Sequence, residues 1–379
     1  MFGSKRIIVT LTIGLLLSGI ALYVVFRNIP LSELVDYLRS VNYWWALPAS
    51  GIIWISFVFR VIRWQILLSP FKKSDFWSAH HPLMIGFMLN SILPGRVGEL
   101  ARPAILYKKE RVSFSKVLAT VGAERVFDLI ILLASFVFII LTVKISPELD
   151  LTFGQYHLNG ATLESIGMRT LQVSILLIAG IILVSVKQSQ GFIRRVLLGF
   201  PRVFFFASDS SKDKLKGRLC VPLVHIFDNF SAGFDLLKSP GKIGICLGLS
   251  CVVWGTGVAS YYVFSLGCPG INLSFLEVYA MVVILCLFIS LPSAPGYWGL
   301  WEAGGVFALL VLGVPKYEAA GFTLANHVVQ MLPVIIIGLV SAIITGVSVV
   351  EVAYEGVEDL HMEECVNQDE STHLQRRGA

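Results

Sequence analysis

Long apolar runs, separated by short polar segments, recur along the whole chain. A run of about 20 apolar residues matches a helix that crosses a bilayer, because each helical residue rises about 1.5 Å through a hydrocarbon core of about 30 Å. The first run follows Lys5 and Arg6 and has no small-residue cleavage site after it, which predicts an uncleaved span. The pattern predicts six full spans, at residues 7–26, 43–68, 117–143, 171–186, 243–266 and 319–349.

Two further apolar stretches are interrupted and leave two readings open. Residues 76–93 run into a Pro-Gly pair, and a second Pro-Gly pair separates residues 275–291 from residues 299–312. Irregular backbone at membrane depth survives only where protein buries it or where it lines a wet cavity. We therefore favour two re-entrant hairpins over a total of eight spans. Their predicted tips are Pro94, Gly95, Gly98, Pro295, Gly296 and Gly299.

The two interrupted stretches belong to a longer internal repeat. An offset of 201 residues relates Pro94 to Pro295 and also aligns the second predicted span with the fifth and the third with the sixth. The number of crossings between the copies gives them opposite topology. Inverted repeats of this kind are typical of transporters, whose sites lie where broken helices meet near the midplane. The predicted repeats cover about 43–145 and 243–349.

Composition fixes the class of protein. Apolar residues make up 55% and charged residues 15% of the 379 residues, and the mean hydropathy is +0.76. A soluble domain is about a quarter charged, so a soluble enzyme, a secreted disulfide scaffold and a disordered regulator are excluded. We predict an all-α integral membrane protein with one polytopic domain, residues 1–350. The polar residues 351–379 predict a disordered cytoplasmic tail.

Charge predicts the orientation. With a cytoplasmic N-terminus, the inner loops hold 18 Lys and Arg residues and the outer loops hold 5, which is a positive-inside bias. Both termini are then cytoplasmic. The basic stretch 187–218 fits an interfacial helix on an anionic leaflet and an ordinary cytoplasmic loop equally well.

Ionisable residues at membrane depth are the candidate binding groups, because they are expensive there and usually face a cavity or a partner. Arg96 and Arg102 suit a headgroup phosphate, since a guanidinium offers paired donors, and Glu99 would hold one of them. A snorkelling pair or a structural salt bridge is the alternative. Further candidates for the substrate site are Asn90, Arg60, Arg63, Glu302, Asn326 and His327.

The remaining charges predict a structural role. Glu124 and Asp128 share a helix face, with Arg125 three residues before Asp128. We expect an ion-pair network of Glu124, Arg125 and Asp128 that also involves Arg60 or Arg63.

Glu302 would bind a cationic headgroup or relay a proton, or cap a helix. His327 would titrate, or bond to a neighbouring helix.

Several segments resemble one known family. The run Asn90 to Arg102 (NSILPGRVGELAR), the run Glu124 to Asp128 (ERVFD) and the run Pro295 to Glu302 (PGYWGLWE) resemble signatures of the lysylphosphatidylglycerol synthase transmembrane-region family, also called flippase-like domain proteins. The resemblance covers nearly the whole chain. Within this family, the chain is similar to the membrane flippase half of the multiple peptide resistance factor. Tyr297-Trp298 and Asn326-His327 depart from the family pattern.

The resemblance implies a lipid flippase of the bacterial inner (cytoplasmic) membrane that moves an anionic phospholipid or a polyprenyl-phosphate-linked lipid. We expect no enzymatic activity of its own, no cofactor, no metal and no nucleic acid. The partners would be the bilayer, the lipid and either a second copy or a transferase. The alternatives are a membrane subunit of an aminoacyl- or glycosyltransferase that modifies a lipid, and a scaffold. The sequence holds no nucleotide-binding, zinc-hydrolase or serine-hydrolase motif.

Overall fold

A computed structural model gives the fold of most of the chain. It describes residues 2–27, 29–93, 96–142, 150–153, 156–159 and 240–348 and the single positions Met168, Gln172, Gly191 and Arg195. The predicted span 171–186, the basic stretch 187–218, the tail 351–379 and the tip residues Pro94 and Gly95 lie outside this description, apart from three of the single positions.

The described residues form ten long or medium helices. These are α1 (Phe2–Phe26), α2 (Leu31–Ser40), α3 (Ala46–Leu68), α4 (Phe76–Ile92), α5 (Gly98–Glu110), α6 (Phe114–Thr142), α7 (Pro240–Ser265), α8 (Phe275–Ile289), α9 (Leu300–Val311) and α10 (Lys316–Thr345). Short 3₁₀ turns precede α3, at Tyr43–Trp45, and α9, at Pro295–Tyr297. The described residues are otherwise mainly helical, as predicted, and β1 (Asp150–Phe153) and β2 (Tyr156–Asn159) add a short antiparallel hairpin.

Four helices among the described residues are long and apolar enough to cross a membrane. They coincide with the predicted spans at 43–68, 117–143, 243–266 and 319–349 to within a few residues. The end of α1 and the whole of α2 become a fifth candidate if they count as one span, although the chain bends by 86° between them. The protein is therefore a multi-pass membrane protein.

The interrupted stretches form two pairs of shorter helices. α4 has 17 residues and packs on α5, which has 13. α8 has 15 residues and packs on α9, which has 12. Both pairs begin at a side-chain cap, because Asp75 accepts backbone N–H groups at the start of α4 and Ser274 forms a capping box with Glu277 at the start of α8. We call them the first and second hairpins.

The long helices pack on one another and on the hairpins. α3 packs along α7, α10 packs along α4, and α6 contacts α8. α1 lies against α9. One large apolar cluster contains residues of α2, α7, α8, α9 and α10, and a second contains residues of α3, α4 and α6. Each hairpin therefore packs on a long helix of the other half, α4 on α10 and α8 on α6.

Candidate functional site

The tips of the two hairpins meet. Arg96, in the turn before α5, donates a hydrogen bond from Nη2 to the carbonyl oxygen of Ile289 at 3.3 Å. A Cβ on Gly296 would lie 2.8 Å from the carbonyl oxygen of Ser91, so only glycine fits against the end of α4. Arg96 and Tyr297 both have a positive φ, of 56° and 63°, and the 201-residue offset relates them. The two turns thus share an uncommon backbone conformation.

A buried cluster of ion pairs lies beside the first hairpin. Arg63 donates to Glu124 Oε1 at 2.9 Å, to Asp128 Oδ1 at 2.6 Å and to Ser250 Oγ at 2.6 Å. The Arg63 and Glu124 side chains are fully buried. Three helices, α3, α6 and α7, are joined at this arginine.

Arg102 belongs to the same cluster. Its Nη1 lies 2.8 Å from Glu124 Oε2, and its guanidinium lies 4.1 Å from the ring centre of Trp64. The side chain is only 2% exposed. The sequence analysis placed Arg102 at a headgroup, whereas its burial between a carboxylate and an indole gives it a structural environment.

Three other arginines are partly or fully exposed on the surface of the protein. Arg96 is exposed, and the side chains of Arg60 and Arg125 are 22% and 36% exposed. Arg60 lies 4.0 Å from Asp128 and over the ring of Phe87. Arg125 lies 3.6 Å from Asp128 and 3.7 Å from Glu99.

The cluster carries a surplus of positive charge. Its four arginines (Arg60, Arg63, Arg102 and Arg125) face three carboxylates, and Arg96 in the adjoining turn adds a fifth positive charge. The buried pairs use most of the negative charge. The carboxylate of Glu99 contacts Arg125, not Arg96 or Arg102, within the ion pairs of the described residues. The surplus therefore falls on Arg60, Arg96 and Arg125, of which Arg96 lies where the two tips meet.

Asn90 has a role in the backbone of the first hairpin. Its Oδ1 accepts a hydrogen bond from the N–H of Gly98 at 2.8 Å. A Cβ on Gly98 would lie 1.8 Å from the carbonyl oxygen of Gly86, so glycine is required for α5 to approach α4. Asn90 and Gly98 together hold the start of α5 against α4.

The second hairpin carries a different constellation. Glu302 Oε2 accepts the N–H of Gly299 at 2.6 Å, and Glu302 Oε1 lies 2.6 Å from His327 Nδ1. His327 Nε2 lies 2.9 Å from the carbonyl oxygen of Gly296. Glu302 and His327 are fully buried. A chain of hydrogen bonds thus runs from the start of α9, through α10, to the second tip.

Aromatic rings enclose His327. The ring of Trp301 stacks on the imidazole at 4.3 Å and 3°, and the ring of Trp298 lies at 4.3 Å. Asn326 is also buried, and its Oδ1 accepts a bond from Gln330 Nε2 at 3.3 Å. Among the described residues, no group of three His, Cys, Asp or Glu side chains is arranged to hold a metal ion.

Comparison with known families agrees with this architecture. The family model described as "Lysylphosphatidylglycerol synthase TM region" matches residues 11–338, which include both hairpins and both constellations. The chain belongs to this family. The resemblance drawn from the sequence signatures is confirmed.

Two relatives of this lysylphosphatidylglycerol synthase TM-region protein are informative. The UPF0104 membrane protein PH1989 of Pyrococcus horikoshii is 25% identical over 282 residues, which are 73% of this chain and 79% of that protein. Glycosyltransferase AglD of Haloferax volcanii is 22% identical over 371 residues, which are 92% of this chain but only 57% of AglD. No solved structure matched the chain.

The sequence analysis of this family member missed several neighbours of the charged residues. Trp64, Ser250, Trp298 and Trp301 were not among the candidates. The contact between Glu302 and His327 was also missed, yet a signal existed. The two residues lie at similar distances on either side of the short turn between α9 and α10, so an antiparallel helix pair brings them to the same depth.

Proposed function

We propose that the protein moves an anionic phospholipid or a polyprenyl-phosphate-linked lipid across the cytoplasmic membrane, as a flippase. The observation that carries the proposal is the surplus of arginine charge, which includes Arg96 at the contact between the two tips. An uncompensated cation at membrane depth is costly. A lipid phosphate would compensate Arg60, Arg96 and Arg125 through paired, charge-assisted hydrogen bonds.

The arrangement of the helices supports two inverted repeats. At the 201-residue offset α3 matches α7, α4 matches α8, α5 matches α9 and α6 matches α10. The packing pairs match as well, because α4 with α10 corresponds to α8 with α6, and α3 pairs with its own counterpart α7. A two-fold relation between the halves accounts for both correspondences.

The lengths of the hairpin helices support re-entrance. Helices of 12 to 17 residues are shorter than the about 20 residues that a span needs. In the proposed topology six spans surround two hairpins that enter from opposite sides, and both termini lie in the cytoplasm. The lipid headgroup would occupy the space between the tips, while the acyl or prenyl chains stay in the bilayer. Movement of the tips would open the site to each leaflet in turn.

The experiment is lipid translocation in proteoliposomes with labelled phosphatidylglycerol. We expect Arg96→Ala to lose most of the movement while the yield of folded protein is unchanged, because Arg96 is exposed and outside the buried cluster. Arg39→Ala, at an exposed position near the end of α2, is the matched control and should retain full movement. Full movement by Arg96→Ala would overturn the headgroup role.

A second candidate rests on the similarity to AglD, which covers nearly all of this chain. In this alternative the protein is the membrane subunit or accessory of a transferase that modifies a membrane lipid, and a partner supplies the catalytic site. Folded protein that moves no lipid, but that copurifies with a transferase and raises its activity, would favour this alternative. In the flippase proposal the chain is not itself an enzyme, and a homodimer is compatible with it.

A further inference from the structure

The hydrogen bonds around His327 fix the positions of its protons. The carbonyl oxygen of Gly296 can only accept, so His327 Nε2, at 2.9 Å, carries a hydrogen. On the other side of the ring, Nδ1 lies 2.6 Å from Glu302 Oε1, which is a carboxyl oxygen. The second oxygen of Glu302 already accepts the N–H of Gly299. One more proton must lie between Nδ1 and Oε1, because otherwise two lone pairs would face each other at hydrogen-bond distance.

This shared proton makes the pair neutral. With it, the pair is either an imidazolium beside a carboxylate or a neutral imidazole beside a carboxylic acid. Without it, the fully buried pair would carry a net negative charge. A buried, unpaired charge is strongly unfavourable. The two indole rings at 4.3 Å also favour a cation at the imidazole.

No other charged partner neutralises this pair among the described residues. Among the titratable side chains of neighbouring elements, Tyr261 of α7 stacks on Trp301, and Tyr297 follows Gly296 in the second tip. Cys286 of α8 lies beyond Tyr261. Arg96 and Glu99 of the first hairpin and Arg125 of α6 act on the second tip through Tyr297.

We propose that Glu302 and His327 form a proton-binding site that holds the second tip in place and couples movement of that tip to protons. When the pair releases its proton to water, the hydrogen that remains on the imidazole can serve Glu302 from Nδ1 or Gly296 from Nε2, but not both. The carboxylate attracts it more strongly. Gly296 then loses its donor, and the Pro295–Tyr297 turn is released from α10.

Release of the second tip from α10 would also affect the first hairpin, because the second tip contacts both. The Gly296 backbone lies against Ser91 at the end of α4 on one side and is bonded to His327 on the other. The second tip thus contacts both the proton site and the first hairpin. This inference rests on the proposed transport function and adds protons as its coupling ion. The tip is held at low pH and is freed as the pH rises.

One substitution removes the proton that the pair can release but keeps its hydrogen bonds. In Glu302→Gln, the amide oxygen can accept from Gly299, and the amide N–H can donate to Nδ1 of a neutral His327, which still donates from Nε2 to Gly296. The variant keeps all three bonds and has no proton to release. Glu277→Gln is the matched control, because Glu277 is also a capping-box carboxylate but is bonded to Ser274 instead of a histidine.

The first measurement is amide hydrogen exchange of the second tip in the purified full-length protein, without lipid substrate. At about pH 5 the wild type and Glu302→Gln should exchange alike. At about pH 8.5 the wild-type tip should exchange about tenfold faster than Glu302→Gln, which corresponds to about 1.4 kcal/mol, the size of one lost hydrogen bond. Comparison at equal pH cancels the intrinsic pH dependence of exchange. Glu277→Gln should behave as the wild type.

The second measurement is translocation of phosphatidylglycerol in proteoliposomes with and without a pH gradient. We expect the gradient to change the wild-type rate and the Glu277→Gln rate, but not the Glu302→Gln rate. Equal exchange of the tip in wild type and Glu302→Gln at both pH values would overturn the proton site, even if lipid moves. A pH-dependent tip in a protein that moves no lipid would support the proton site and overturn the transport function.

Discussion

The two hairpins have the same order of helices, but the side chains in and around them differ. At the 201-residue offset Arg60 corresponds to Tyr261, Arg63 to Phe264 and Arg125 to Asn326, so the ion cluster of the first half becomes aromatic and amide groups in the second. Conversely, Glu302 corresponds to Ala101 and His327 to Val126. Similar helix pairs therefore adjoin an arginine-rich ion cluster in the first half and a buried Glu302–His327 pair in the second.

The backbone features of the two hairpins agree more closely than their side chains do. Helix lengths, caps and the positive φ at Arg96 and Tyr297 define the hairpins in both halves. The side chains at matched positions then define what each tip interacts with. In our account the first tip offers positive charge to a lipid phosphate, and the second tip is held by a proton.

The largest expected effect comes from the buried cluster. Glu124→Gln removes the carboxylate that pairs with both Arg63 and Arg102 and leaves these buried cations undercompensated. We expect a loss of about 3–5 kcal/mol in stability, as for other broken buried pairs, and a matching fall in thermal stability in detergent. The corresponding position of the second half, Ala325, should tolerate Ala325→Ser with a much smaller loss. Equal losses at the two positions would contradict the division between the halves.

The next effect tests the close approach of α4 and α5. Gly98→Ala places a methyl group against the Gly86 carbonyl, and we expect a loss of about 1–3 kcal/mol through overpacking. Gly51→Ala is the matched control, because a Cβ at Gly51 meets no atom within 4 Å and alanine favours the helix. Both can be compared by thermal unfolding. A Gly98→Ala protein as stable as Gly51→Ala would show that the tip geometry tolerates a wider spacing.

A smaller effect separates geometry from charge at the first tip. Arg96→Lys keeps the positive charge but loses the planar pair of donors. We expect a several-fold lower rate of phosphatidylglycerol movement, with unchanged thermal stability, because the side chain is exposed. Arg39→Lys should leave the rate unchanged. A normal rate for Arg96→Lys would mean that only net charge matters at this tip.

The smallest effect concerns the rings around His327. Trp301→Phe keeps an aromatic face but has a weaker attraction for a cation than indole. We expect a change below about 1 kcal/mol in stability, larger at about pH 5 than at about pH 8.5, because the proton-bound pair gains most from the ring. Thermal unfolding at the two pH values measures it. A larger loss at high pH would contradict the assigned proton.

Much of the fold could be predicted from the sequence. Apolar run length placed four spans within a few residues, since span length is set by the bilayer, and the two Pro-Gly pairs located both interrupted stretches. Partners within the cluster were harder to predict. Nothing in the local pattern says that Arg102 turns towards Glu124 and Trp64 while Arg96 stays exposed, because this depends on how α5 crosses α4 and α6.

The central claim is that the meeting tips hold an anionic headgroup. The most direct test is the ratio of phosphatidylglycerol to phosphatidylcholine movement in proteoliposomes, compared between the wild type and an Arg60→Ala/Arg96→Ala double variant. We predict a ratio well above one in the wild type that falls to about one in the double variant, with the Arg39→Ala control unchanged. An equal preference for phosphatidylglycerol in the wild type and the double variant would contradict the account.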